Sequence, residues 1–119
     1  MSTPWSQWMT SLHRKVAPNA TRQAIASASA INLDSVYVTL TTTGATYAIT
    51  LAPPTLPAVD LVIEMIARGG AFNVTLSLAN VTGGTASTTC TWNGTGQILI
   101  LKSAGSKWVV IKQSGVTLT

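Results

Sequence analysis

Residues 96 to 113 read GQILILKSAGSKWVVIKQ, and the reading of this stretch decides the fold. Gln97 to Leu101 and Lys107 to Ile111 are rich in β-branched and aromatic residues, and Ser103-Ala104-Gly105-Ser106 between them is turn chemistry, so the pair reads as a β-hairpin. A hairpin with one wet face alternates apolar and polar residues, because successive side chains point to opposite sides of the sheet. Here Ile98-Leu99-Ile100-Leu101 and Trp108-Val109-Val110-Ile111 are continuous apolar runs, so both faces call for cover. In a chain this short the cover is a second sheet of the same domain or a neighbouring copy of the chain. Ile98, Ile100, Trp108 and Val110 are therefore the expected core or subunit-interface positions.

The 119 residues suffice for one domain with a core of its own. Only 8% are charged and 46% are hydrophobic, and the polar remainder is mostly Thr, Ser, Asn and Gly, a β-rich composition rather than a disordered one. So few charges protect a monomer's surface poorly against association, which points to an oligomer or to life on a larger assembly. Cys90 is the single cysteine and reads as a buried thiol. No N-terminal stretch has the charged and apolar regions of a signal peptide, so synthesis in a reducing cytosol is expected. The four Asn-x-Thr triplets, at Asn19, Asn73, Asn80 and Asn93, then read as products of an Asn- and Thr-rich composition rather than as glycosylation sites. The longest apolar run, Leu61 to Ala67, is broken by Glu64 and falls far short of the roughly 18 residues of a membrane-spanning helix.

Taken in order, the chain opens on Thr3-Pro4, a helix cap followed by proline at the first helical position. Trp5, Trp8, Met9, Leu12 and Val16 fall along one stripe, and Pro18 ends the pattern, which predicts a short helix over about 4–17. His13, Arg14 and Lys15 lie in its last turns, where cations suit the helix C-terminus. A helix this short needs a surface on which to bury its tryptophans. Either it packs on its own body or a sister subunit, or it docks on another protein, for which Trp is a typical anchor. Asn19 to Ala30 reads as an extended connector containing Arg22. Residues 1–30 are thus an expected docking arm, carried by Trp5, Trp8, Met9, Leu12, Arg14, Lys15 and Arg22, ahead of a β domain over 31–119.

Within that domain, Val36, Val38 and Leu40 alternate with Tyr37, Thr39 and Thr41, and after Thr42-Thr43-Gly44-Ala45 the alternation resumes at Tyr47, Ile49 and Leu51, reading as a second hairpin. Pro53-Pro54-Thr55-Leu56-Pro57 is a loop, since proline cannot donate to a ladder. Strands follow at Leu61 to Ala67, Phe72 to Leu78 and Ala86 to Trp92, with a last edge at Val116 to Thr119. Strands spaced by about 8–12 residues with glycine-rich turns predict an antiparallel all-β domain, whether sandwich, jelly roll or barrel.

Chemistry is scarce in this inventory. The carboxylates are Asp34, Asp60 and Glu64, with one His and one Cys. Asp60 and Glu64, four residues apart on one strand, share a face at roughly 13 Å, too far for a retaining pair of carboxylates. The expected role of Glu64 is pairing with Arg68 or with a neighbouring subunit. A Cys90–His13 pair lacks an orienting third group. No metal-ligand spacing, phosphate loop or dinucleotide fingerprint occurs, so neither an enzyme nor a cofactor is expected. The cations are too scattered, and too little interleaved with aromatics, for a nucleic-acid site.

The succession VYVTLT, TYAITL, a proline loop, LVIEMIARGG, FNVTLSL, WNGTGQ, ILIL and SAGSKWVVI, with Gly96-Gln97 and Trp108-Val109-Val110 its most specific part, resembles the small trimeric β domains of tailed bacteriophages. These occur in capsid decoration (cement) proteins, head fibres and tail-fibre modules, and the resemblance covers roughly Ile31 to Ile111. It implies a homotrimer located on the virion. It also implies the major capsid protein as partner, gripped through the arm and the trimer base, with no nucleic acid, membrane or small-molecule substrate. The alternative it carries is a fibre or receptor-binding module recognising host-surface glycans, for which Trp92 beside Asn93 is the one aromatic platform in the body.

Overall fold

The computed structural model describes residues 21–55, 60–82 and 87–119, and among them there is no helix. The expected helix over 4–17, with Trp5, Trp8, Met9, Leu12, Arg14 and Lys15, lies outside the described residues.

Among the described residues ten strands form two five-stranded sheets packed face to face. They are β1 (Thr21–Ile25), β2 (Ser29–Ala30), β3 (Ser35–Thr42), β4 (Tyr47–Thr50), β5 (Asp60–Arg68), β6 (Val74–Ser77), β7 (Thr89–Trp92), β8 (Ile98–Ala104), β9 (Lys107–Ser114) and β10 (Thr117–Leu118). Sheet A has the order β1-β3-β5-β8-β9 and sheet B the order β10-β7-β6-β4-β2. The all-β architecture is as the sequence predicts, two layers answer the choice it left among sandwich, jelly roll and barrel, and the sheets are mixed rather than antiparallel. Strands β1, β3 and β5 run parallel in sheet A, and β2, β4 and β6 run parallel in sheet B. From β1 to β6 the chain therefore winds alternately through the two sheets. Parallel neighbours need a crossover, and each strand of one sheet serves as the crossover for the other. The last four strands close the winding with antiparallel pairs, β5–β8–β9 in sheet A and β6–β7–β10 in sheet B.

This topology corrects the hairpin expected between 36–41 and 47–51. The Thr43–Thr46 segment passes from sheet A to sheet B, held by the Tyr47 hydroxyl, which donates to the carbonyls of Thr41 (2.7 Å) and Ile25 (3.1 Å). A turn that reverses within a sheet and one that steps between layers share the same Thr- and Gly-rich composition, so local sequence does not separate them. The boundary at residue 30 moves as well. Residues 21–30 supply β1 and β2, pair with β3 and β4, and place Ile25 in the core at 3% exposure, so the β domain includes at least residues 21–30.

The core lies between the layers. Val38, Leu40, Leu61, Ile63, Met65, Leu99 and Leu101 from sheet A meet Ile49, Val74, Leu76, Cys90 and Trp92 from sheet B. The 98–111 hairpin forms as predicted, but its strands extend to a two-residue turn at Gly105-Ser106, with Gly105 at φ +71°. Glycine at the first central position suits a tight turn that keeps the strand twist. Within the hairpin the apolar runs divide. Leu99, Leu101 and Trp108 point into the core and Val110 packs against it, whereas Ile98, Ile100 and Val109 alternate onto the outer side of sheet A and stay half-buried.

Trp108 ties this hairpin to the loops around it. Its indole Nε1 donates to the Ala52 carbonyl at 2.9 Å, its backbone N–H donates to Asn80 O at 2.8 Å, and its carbonyl accepts from Thr82 N at 2.7 Å. Trp108→Ala is expected to lower the unfolding free energy by about 3–5 kcal/mol, from cavity formation and the lost indole contact, as read by urea unfolding of the full chain.

Candidate functional site

Sheet B covers the inner face of sheet A, and no described residue packs as a layer over the outer one. Strand register builds that outer face in rows. One row runs Arg22, Tyr37, Val62, Ile100, Lys112, and the next runs Ala24, Thr39, Glu64, Ile98, Ser114. A third, at the start of β5, runs Asp60, Lys102, Val109. Val62, Ile98, Ile100 and Val109 are only half-buried by their own neighbours in the sheet.

Two larger apolar side chains stand clear of the surface. Ile66 is 47% exposed and Ile111 is 56% exposed. Each is the unpaired residue of a bulge: Leu40 and Thr41 face Met65 and Ala67, skipping Ile66, and Ile100 and Leu101 face Lys112 and Val110, skipping Ile111. Alternation points each isoleucine outward after inward-directed Met65 or Val110, and the bulge leaves it with no cross-strand neighbour to pack on.

One polar cluster sits in these rows. The Tyr37 hydroxyl donates to Glu64 Oε1 at 2.6 Å, and the Arg22 guanidinium carbon lies 5.0 Å from the Tyr37 ring centroid, a cation–π contact. The hydrogen bond to Glu64, with smaller contributions from partial burial and from the Glu64 charge, raises the Tyr37 phenol above its ordinary range, while Arg22 acts the other way. Arg22 thus lies in sheet A, stacked on Tyr37, rather than in an arm. Glu64 is bound by Tyr37, not by the expected Arg68, whose Nε and Nη2 donate to Phe72 O (3.1 Å) and Asn73 Oδ1 (2.8 Å). The sequence carried half of this cluster, since alternation puts Tyr37 outward and Glu64 interrupts an apolar run. Its missing half was the parallel register joining residues 27 positions apart.

Of the four expected interface or core residues, Ile98 and Ile100 lie on the outer face while Trp108 and Val110 belong to the core. Trp92, the suggested sugar platform, is wholly buried, and its Nε1 donates to Ile63 O at 3.3 Å, so it cannot stack on a ligand. Three of the asparagines in Asn-x-Thr triplets are structural. Asn73 accepts from Arg68, Asn80 Nδ2 donates to Leu51 O at 2.8 Å, and Asn93 Oδ1 accepts from Gln97 Nε2 at 2.7 Å. An open depression of about 370 Å³ is lined by Ala26, Ser27, Ala28, Thr43, Gly44, Ala45 and Tyr47. It offers no charged group, and the Tyr47 hydroxyl is spent on backbone carbonyls. Among the described residues no group of three His, Cys, Asp or Glu side chains could hold a metal ion.

Neither a protein-family model nor a curated protein matches the chain. Among solved structures it is similar to a chain of one described as the structure of a chaperone–substrate complex, with a TM-score of 0.51 and 13% identity. The match covers 80% of this chain and 17% of that one. At that identity the likeness is one of fold, and this chain corresponds to about a sixth of the other's length.

Cys90 is fully buried, and desolvation pushes its thiol up to about 12. A thiol reagent at about pH 8 is expected to leave Cys90 unlabelled in the folded protein and to label it on unfolding, because only the thiolate reacts. The unfolded thiol ionises from about pH 8.5, whereas the folded one holds its proton to about 12. Its contribution to stability is therefore complete below the first value and is lost as pH rises towards the second. Urea midpoints at alkaline pH should fall less steeply in Cys90→Ala than in the parent.

Proposed function

We propose that this chain is a structural virion protein, a homotrimeric decoration (cement) protein that binds and stabilises a bacteriophage head. The observation that carries the reading is the outer face of sheet A, where Val62, Ile98, Ile100 and Val109 are only half-buried and Ile66 and Ile111 stand exposed among polar groups, in a chain with only 8% charged residues. Such a protein works by joining surfaces rather than by transforming a substrate. Sister subunits and the major capsid protein are the partners this reading supplies, and the virion surface is its location, after synthesis in the host cytoplasm. The resemblance of Ile31 to Ile111 to trimeric phage β domains supports it.

The docking role narrows to residues 1–20. Trp5, Trp8, Met9 and Leu12 carry the apolar stripe, and Arg14 and Lys15 carry charge that suits an acidic capsid surface. Arg22 leaves this group for the body. Three linked copies of a weak docking segment would add through avidity.

A fibre or receptor-binding module is the second reading, carried by the same resemblance of Ile31 to Ile111 to phage β domains. Trp92 plays no part in it. Immunogold labelling of virions separates the two, since label on heads supports decoration and label on tails supports a fibre.

The full chain with Trp5→Ala, Trp8→Ala, Arg14→Glu and Lys15→Glu combined is expected to keep its oligomeric state in native mass spectrometry and to lose most binding to undecorated heads in a co-sedimentation assay. Undiminished occupancy would remove the docking role of residues 1–20.

A further inference from the structure

We propose that the outer face of sheet A is where copies of this chain meet, with the basic margin of one face seated on the acidic middle strand of the next. The inference rests on the self-association in the proposed function and adds its surface and geometry.

The charges select the occupant. Two of the chain's three carboxylates, Asp60 and Glu64, lie on β5, the middle strand of sheet A. Arg22 stands on the edge strand β1 and Lys112 on the opposite edge strand β9. Val62 stands on β5 between the two carboxylates, and Ile98, Ile100 and Lys102 stand on β8 between that strand and the β9 margin, with exposed Ile66 and Ile111 beside them. An acidic partner laid on this face meets Asp60 and Glu64, and a basic partner meets both margins. A second copy supplies both signs in the pattern required.

The same pattern sets the geometry. Stacked centre on centre, two faces would oppose their β5 carboxylates. Offset, so that one margin overlies the neighbour's middle, Arg22 or Lys112 faces Glu64 and Asp60 while the isoleucines and Val62 pack between them. With strands about 4.8 Å apart and about seven residues of 3.3 Å each, the face offers roughly 550 Å² in projection. That is below the roughly 800 Å² per partner of a standard stable interface, and an offset pair covers less still. A closed ring uses both margins of every face, so each copy makes two contacts and no face is left half covered. The area and the charge pattern therefore favour a cyclic assembly over a simple pair.

The test uses the full chain in sedimentation velocity across a concentration series. Ile111→Asp and Lys112→Glu alter exposed side chains and should leave Trp fluorescence and the urea midpoint near those of the parent. Each is expected to raise the concentration needed for assembly by about tenfold or more. Arg22→Glu with Lys112→Glu should abolish self-assembly, and mixing that protein with Asp60→Lys, Glu64→Lys protein should restore a mixed assembly. If the parent assembles and every variant assembles equally well, the face is wrong while self-association stands. If the parent is monomeric at all concentrations, self-association fails and this inference fails with it. If hydrogen exchange shows the face protected in a monomer, the chain's own residues 1–20 occupy it, and the proposal is overturned.

Discussion

Trp92 holds the two layers to one another. It springs from β7 in sheet B, is wholly buried, and donates its indole N–H to the carbonyl of Ile63 on β5, the middle strand of sheet A. A buried indole must find an acceptor, and here the acceptor lies across the core, so the bond fixes the spacing and sliding of the sheets along with satisfying the donor. Around it the core is apolar and dry in character. Ile63, Met65, Leu99 and Leu101 face Val74, Leu76 and Cys90, and the high affinity of Cys90 for its proton reflects the same desolvation. Every strand with enough length contributes one face to this slab, and the slab has room for one face only.

That limit organises the rest of the chain. The winding from β1 to β6 lets short strands reach both layers without long connections, and it leaves edge strands at each end of both sheets. The β9 edge is partly closed, because Val81 bridges to Trp108, and its remainder carries the Ile111 bulge and Lys112. Bulges and lysines are common guards against edge-to-edge pairing, since both spoil a template for another strand. The bulges have a second effect here. They leave Ile66 and Ile111 outward and without a cross-strand partner, which enlarges the apolar surface of sheet A, and the one on β9 also lies on its edge strand. The molecule is guarded against open-ended strand addition but not against a contact through the face of the sheet.

Much of this was legible in the residues themselves. Alternation at 36–41, 47–51 and 72–78 located strands, the proline run marked the loop, and the doubly apolar 98–111 hairpin announced that one sheet would have two apolar faces. Strand partners were harder to read. Parallel pairing joins Tyr37 to Val62 and Ile49 to Leu76, positions linked only by a trip through the opposite sheet, and no turn sequence encodes that. Ala- and Ser-rich residues 21–30 looked like a connector because their strands are short and their side chains small. Ile25 reaches the core, and backbone pairing with β3 and β4 does the rest. Trp92 was misread for a related reason, since an aromatic beside Asn-Gly is compatible with a binding loop until the strand's facing is known.

The two apolar demands of the 98–111 hairpin have different origins, which bears on how the chain works. Leu99, Leu101 and Trp108 are answered within the domain, and their burial is a matter of folding. Ile98, Ile100 and Val109 are answered only in part by their sheet neighbours, and any further cover must come from outside the described fold. A cover supplied by association is compatible with water exposure before assembly only if the face keeps enough charge to stay solvated. The Tyr37–Glu64–Arg22 cluster does this from the middle strand to the β1 edge, and Lys102 and Lys112 do it beside the isoleucines. Those same charges dictate where a second face can sit, because desolvating a carboxylate is tolerable only against a cation. The polar groups that interrupt the apolar rows thus make the face soluble when free and selective when covered.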